Sequence, residues 1–282
     1  MNKTIIVGID FSDCSINALE HAIGIAQKAK SGITMVWVNH LDYSKEIFSV
    51  EPKQLQTEVK KKFEDLLKKY TVKLHGYPLI YEMRKGKIYK EICASADEHE
   101  SFLTVIGTHG STGFEEFWIG SNANKMVSSS KQPIITIRGG VDVGRDLKKI
   151  VMPFDSTKVT RQKLPFTALL AKYFDSEVII LGMFSSTLDD LRYRIRNYVA
   201  QAEDYFREND IKFKTEYLEV DNITDATLEY AKNIDANLIS VMTEQETRTS
   251  NLWLGPFAAQ MVNHSSIPVL SIHADKYKFY NG

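Results

Sequence analysis

The chain has 282 residues, long enough for two domains of roughly 100–150 residues each. With 35 Lys+Arg against 36 Asp+Glu it is nearly neutral, which argues against a global field for nucleic acid or an anionic membrane. No apolar run approaches the roughly 18 residues of a membrane span, and the stretch after Met1-Asn2-Lys3-Thr4 is too short for a signal-peptide core. The two isolated cysteines, Cys14 and Cys93, read as inert thiols, and a cytoplasmic location is expected.

Taken in chain order, residues 4–9 form a short apolar run, best read as a buried strand. Ser12 to Ser15 offers N-cap candidates, and Ala18, Leu19, Ala22, Ile23 and Ala26 then recur at helical spacing. A second strand is expected at 33–38. Residues 40–52 carry no pattern and read as a long loop, a candidate lid. Leu55, Val59, Phe63, Leu66 and Tyr70 mark an amphipathic helix over 53–70, on which Lys60-Lys61-Lys62 form a solvated face. Strands follow at 79–83 and 103–106, with a helix through Ile88, Ile92 and Ala96 between them. A last helix covers 123–129 and a last strand 134–137. The joint Arg138-Gly139-Gly140-Val141-Asp142-Val143-Gly144-Arg145 is dense in glycine and reads as a linker. Beyond it, strands are expected near 149–154, 177–182, 213–219, 237–242 and 268–272, with helices between. Strands alternating with helices predict an α/β fold, with a parallel sheet covered on both faces in each half.

The two halves repeat one another. Thr4–Asp10 resembles Lys149–Asp155, at an offset of 145, and each aspartate is followed within two residues by a serine. Phe117-Trp118-Ile119-Gly120 parallels Leu252-Trp253-Leu254-Gly255, and Gln132–Ile137 parallels Ile267–Ile272, both at an offset of 135. The second half is therefore shorter by about ten residues, which the segment after the second strand best explains. Two domains are expected, 1–140 and 146–282. Each ends in an apolar strand that would expose an unpaired edge, and pairing one with the other covers both, giving an intrachain pseudo-dimer.

The most informative stretch is Gly107-Thr108-His109-Gly110, then nine residues, then Gly120-Ser121-Asn122. Gly107 ends a strand where a side chain would block a ligand approaching the backbone, and Gly110 supplies a turn. Gly120-Ser121 opens a helix whose free N–H groups suit an anion, most often phosphate, with Asn122 adding an amide. Asp10 ends the first strand at the same crevice, where it can accept from ribose hydroxyls or hold a metal. His109 reads as a turn residue, and the remaining histidines show no metal-ligand spacing. Neither a P-loop nor a dinucleotide fingerprint is present.

The G-x-x-G, nine residues, G-[ST] spacing at Gly107, Gly110, Gly120 and Ser121 resembles the ATP-binding motif of the universal stress protein family. Asp10, Ile9 and Val38 match that family's ribose and adenine positions. The likeness covers nearly the whole chain, twice, so the chain resembles a tandem member. The resemblance implies two flavodoxin-like, Rossmann-like domains with strand order 3-2-1-4-5. It also implies ATP as ligand, with magnesium as a candidate companion, and dimerisation through the last strand, with a homodimer as a further candidate. The family contains both ATP binders and members that lack the motif.

The second half departs from that pattern. Gly107 maps to Met242, Gly110 to Gln245 and Ser121 to Pro256, which has no N–H to donate. Only Asp155 survives, so the second half is expected to be a scaffold without ATP. Trp118 and Trp253, present in both halves, read as packing residues. No nucleophile–base pair is visible. The leading expectation is an ATP-binding regulatory or stress-response protein that acts on an unknown protein partner, without nucleic acid or membrane insertion. The alternatives are a slow ATPase or nucleotidyl transferase, and a nucleotide-free interaction scaffold.

Overall fold

The computed structural model describes residues 3–40, 52–108, 121–138, 140, 146–243 and 255–274. The first half runs β1 (Thr4–Gly8), α1 (Asp13–Ala29), β2 (Gly32–Asn39), α2 (Pro52–Tyr70), β3 (Leu79–Lys85), α3 (Ile88–Glu98), β4 (Leu103–Gly107), α4 (Ser121–Ser129) and β5 (Ile134–Ile137). The second runs β6 (Lys149–Phe154), α5 (Leu164–Phe174), β7 (Glu177–Phe184), α6 (Asp189–Glu208), β8 (Lys212–Glu219), α7 (Ile223–Asn233), β9 (Leu238–Thr243), α8 (Pro256–His264) and β10 (Val269–His273). Between Asn39 and Pro52 the first half has the long expected insertion; its counterpart is only Ser185–Leu188.

All ten strands join one sheet in the order β3-β2-β1-β4-β5-β10-β9-β6-β7-β8. Each half thus has the expected 3-2-1-4-5 order, and every pairing within a half is parallel. Among the described residues the seam is the one antiparallel pairing, with Val269 opposite Thr136, Leu270 opposite Ile135 and Ser271 opposite Ile134. Ile135 and Leu270 are equivalent residues of the two halves, so a pseudo-twofold axis passes through that pair. The flanking pairs obey the isologous rule: Val269 meets Thr136 as its counterpart Ile134 meets Ser271.

Strand alternation sends side chains to two apolar layers. Ile5, Val7 and Ile9 join α1, α2, α5 and α6 on one face, in a cluster that runs unbroken across the seam. Ile6, Val36 and Val38 join α3, α4, α7 and α8 on the other. The seam is reinforced by His273, whose Nε2–H donates to the Val127 carbonyl across it at 2.6 Å, while Nδ1 meets Thr243 Oγ1 at 2.8 Å. The helices that carry the two Asp turns also end alike: α1 stops at Lys30 (φ 53°) and α5 at Asp175 (φ 51°), each in the left-handed conformation.

Candidate functional site

At the C-terminal end of β1 the chain makes a compact turn. Asp10 Oδ1 accepts from the Ser12 amide at 3.0 Å and from Ser12 Oγ at 2.6 Å. Ser12 Oγ in turn caps α1 by accepting from the Ser15 amide at 3.2 Å, and Ser15 Oγ accepts from the Asp10 amide at 3.4 Å. The Asp10 carboxylate is therefore oriented by a local network while the residue stays exposed at the crevice. Phe11 holds φ at 64°, which costs a bulky side chain about 1–2 kcal/mol. Its ring packs edge-on against Phe63 at 5.0 Å, and Phe63 stacks on Tyr81 at 4.4 Å. Phe11 is a site feature that the sequence reading missed; a bulky residue between Asp10 and Ser12 gives no sign of its backbone conformation.

The second half repeats the turn almost atom for atom. Asp155 Oδ1 accepts from the Thr157 amide at 2.9 Å and from Thr157 Oγ1 at 2.6 Å, and Thr160 Oγ1 accepts from the Asp155 amide at 3.4 Å. What lies beneath the turn differs. In the first half Gly107 ends β4 against the first turn of α1: a Cβ there would stand 2.8 Å from Cys14 Sγ and 3.0 Å from the Cys14 carbonyl oxygen. The glycine is thus needed for helix packing, a reason additional to the ligand approach expected from sequence. In the second half Met242 stands in the place of Gly107, almost fully buried. The chain that matches the start of α1 is a 3-10 turn, Lys158–Arg161, and α5 begins only at Leu164.

Lys163 accompanies this change, in the place of the buried Ala18. It is buried, its ammonium donating to the Thr160 carbonyl at 2.7 Å and to Thr160 Oγ1 at 3.0 Å, 4.6 Å from the centre of the Phe154 ring. Burial pushes its pKa down to about 7, partly opposed by the Asp155 charge. The cavity beside it, lined by Asp155, Thr157, Lys163, Met242 and Phe257 among others, measures about 10 Å³, room for about one water molecule.

Of the expected site residues, the structure places Asp10 just beyond the C-terminal end of β1 and Gly107 at the C-terminal end of β4, the strand that pairs with β1. Ser121 begins α4 and Asn122 follows it, partly exposed. Ile9 and Val38, the expected adenine positions, have buried side chains on opposite faces of the sheet. Gly110, Gly120, His109, Trp118, Gln245, Trp253, most of the linker and 41–51 of the candidate lid lie outside the described residues. Pro256 opens α8 at the position of Ser121. Cys14 is buried, and burial pushes the Cys93 thiol up to about 11, as fits two unreactive thiols.

A duplicated α/β sheet with an Asp turn at each first strand defines the class, and the comparisons supply the family. The universal stress protein family profile matches residues 1–138 and again 147–273, and the chain belongs to that family as a tandem two-domain member. A universal stress protein of Methanocaldococcus jannaschii is 28% identical over 144 residues, covering 48% of this chain and 82% of its own. The crystal structure of a universal stress protein from Archaeoglobus fulgidus superposes with a TM-score of 0.74 at 17% identity, covering 96% of this chain and 98% of that one. A putative universal stress protein structure from Pseudomonas aeruginosa does so with a TM-score of 0.67 at 14% identity, covering 98% and 95%. Among the described residues no helix is long and apolar enough to cross a membrane.

Proposed function

We propose that this chain is a nucleotide-binding regulatory protein of the stress response that holds one ATP in its first domain and none in its second. The reading rests on one contrast. Both halves keep the Asp turn, but only the first keeps Gly107 beneath it and a helix beginning at Ser121 with a full set of N–H donors. The second fills the same place with Met242 and Lys163, leaves about 10 Å³, and starts its helix with Pro256. The donor set in the first half fits a nucleotide. Asp10, held by Ser12, would take ribose hydroxyls or a magnesium ion, and the α4 N-terminus with Gly107, Gly110, Gly120, Ser121 and Asn122 would take the phosphates. Ile9 and Val38 would border the base. Bound ATP supplies charge and shape rather than a reaction step: it would order the surface around the crevice and alter what a protein partner meets there. A cytoplasmic location belongs to the same reading.

The test is direct. Protein purified without added nucleotide is denatured and the supernatant chromatographed, and the purified protein is titrated with ATP and Mg²⁺ in a calorimeter. One site per chain is expected, with turnover far below the roughly 1–100 s⁻¹ of kinases. Two equal sites, or none, would overturn the reading, and steady turnover in that range would make the protein an enzyme.

A further inference from the structure

Joining the two domains in one sheet leaves two edges among the described strands, those of β3 and β8. A free edge offers a row of N–H and C=O groups that another strand can complete, and proteins blunt it where pairing is unwanted. The β3 edge is blunted. Its central Glu82 turns toward α3, where the carboxylate accepts from Arg84 at 2.7 Å and from Ser95 at 2.9 Å and also meets His99. Arg84 reaches on to Glu98 at 3.1 Å. Only two of the seven residues of β3 are exposed.

The β8 edge is open: five of its eight residues are exposed, and Tyr217 is 43% exposed. Contacts assign its two faces. Phe213, Thr215 and Tyr217 look toward α6: Phe213 packs against the cluster that holds that helix, Thr215 donates to Glu203 at 2.6 Å, and Tyr217 stacks on Phe184 at 5.4 Å. Lys214 and Glu216 share the opposite face with Leu218, which packs against the cluster that holds α7. The Lys214 side chain is 65% exposed beside Glu177, and Glu216 is exposed as well.

Lysines on an edge ordinarily deter pairing, but along β8 they are answered by the residues that follow them. Read against itself in reverse, with Thr215 opposite Thr215, the strand sets Lys214 opposite Glu216 and Phe213 opposite Tyr217, and a twofold axis gives each pair twice. Residues opposite one another in an antiparallel pair share a face of the sheet, as the members of both pairs do here. Opposite charges, aromatic pairs and paired threonines are the combinations that stabilise neighbouring strands. Moving the axis by one residue sets Lys214 opposite Lys214 or Glu216 opposite Glu216, so charge selects the register. The molecule already uses this geometry once, since its own seam is an antiparallel pairing about a pseudo-twofold axis.

We propose that β8 is a dimerisation edge, which pairs antiparallel about Thr215 with β8 of a second copy of this chain and extends one sheet through both. The contact is isologous, so it closes on itself and stops at two copies. It is independent of the nucleotide reading: β8 is the outermost strand of the second domain, and the test uses no nucleotide.

The experiment is sedimentation velocity of the full chain over a concentration series. The wild type is expected to pass from monomer to dimer and no further. Lys214→Glu and Glu216→Lys each set like charges opposite one another twice, and each should weaken dimerisation at least about tenfold. Mixed in equal amounts, the two variants should associate as strongly as the wild type, because every lysine then meets a glutamate again. Both changes are on exposed side chains, and unaltered melting temperatures would show that the variants are folded. The register is read separately by Thr215→Cys in a Cys93→Ser background. Opposite residues of an antiparallel pair have Cα atoms about 4.5–5.5 Å apart, within reach of a disulfide, so mild oxidation should crosslink that dimer. The proposal falls if the wild type stays monomeric up to its solubility limit, or if it grows past the dimer, which would mean that β3 meets β8. It also falls if either charge reversal dimerises like the wild type, if mixing the two restores nothing, or if the Thr215→Cys chain fails to crosslink.

Discussion

The Asp10 and Asp155 turns share the bonds that close on the aspartate, down to a 2.6 Å contact from Ser12 or Thr157, yet they stand over different ground. The turn is a local structure. Asp-x-Ser or Asp-x-Thr after a strand closes it by a side chain bonding its own backbone two residues on, and a Ser or Thr five residues after the Asp buttresses it. It survives duplication whether or not anything binds. The ground beneath it is set by a residue nearly a hundred positions away, Gly107 in one half and Met242 in the other. In the proposed reading the carboxylate alone is therefore no mark of a nucleotide site; the residue near the end of the fourth strand is.

The sharpest way to break this contrast is to move the second half's residue into the first. Gly107→Met would drive a side chain into Cys14, where even a Cβ stands at 2.8 Å. Overpacking of this kind costs about 1–3 kcal/mol, and the displaced α1 turn carries Asp10 with it. A loss of ATP affinity on the order of 100-fold is expected by calorimetric titration. Undiminished binding would mean that the ground beneath the turn does not decide nucleotide binding.

Lys163 sharpens the contrast from the other side. Its pKa is held near 7 in the folded chain against an ordinary value of 10.5, so between those values the unfolded chain binds the extra proton. Its burial therefore destabilises the fold fully below pH 7, and the penalty fades as pH rises from 7 to above 10. Lys163→Met is expected to stabilise the protein by a few kcal/mol near pH 6, with the advantage shrinking through that window. Urea denaturation at a series of pH values measures it. A variant whose advantage is constant with pH would show that Lys163 is charged throughout.

A smaller effect separates the two turns themselves. Ser12 both bonds Asp10 and caps α1, whereas the 3-10 turn after Thr157 has no side-chain cap. Ser12→Ala should cost about 1 kcal/mol, and Thr157→Ala less than half of that. Equal costs, measured by thermal unfolding, would mean that the bond to the aspartate and not the cap carries the energy.

The sequence made the fold legible because its signals are local and repeated. Apolar runs such as Ile5-Ile6-Val7, the stripe Val59–Phe63–Leu66 and the paired final strands each announce one element, and the second copy checks the first. Met242 and Pro256 likewise mark the second half as different in the sequence itself. What stayed hidden depends on long-range packing. Nothing near Gly107 in the chain says that Cys14 will lie against it. Lys163 looked like any lysine before a helix, because burial of an amine is a property of what surrounds it. Phe11's left-handed backbone is held by Phe63, over fifty residues away.

The strand pairing at Ile135 and Leu270 has one more consequence, in the currency of concentration. Two domains that met by these strands as separate chains would associate according to how much protein was present. Tethered in one chain, they meet at an effective concentration on the order of millimolar, whatever the dilution. The seam is saturated from the moment of folding, and the edges it uses are withdrawn from any second copy. Among the described strands the sheet edges that remain belong to β3 and β8, at opposite ends of the ten, so the valence of this sheet toward further strands lies two strands outside each Asp turn.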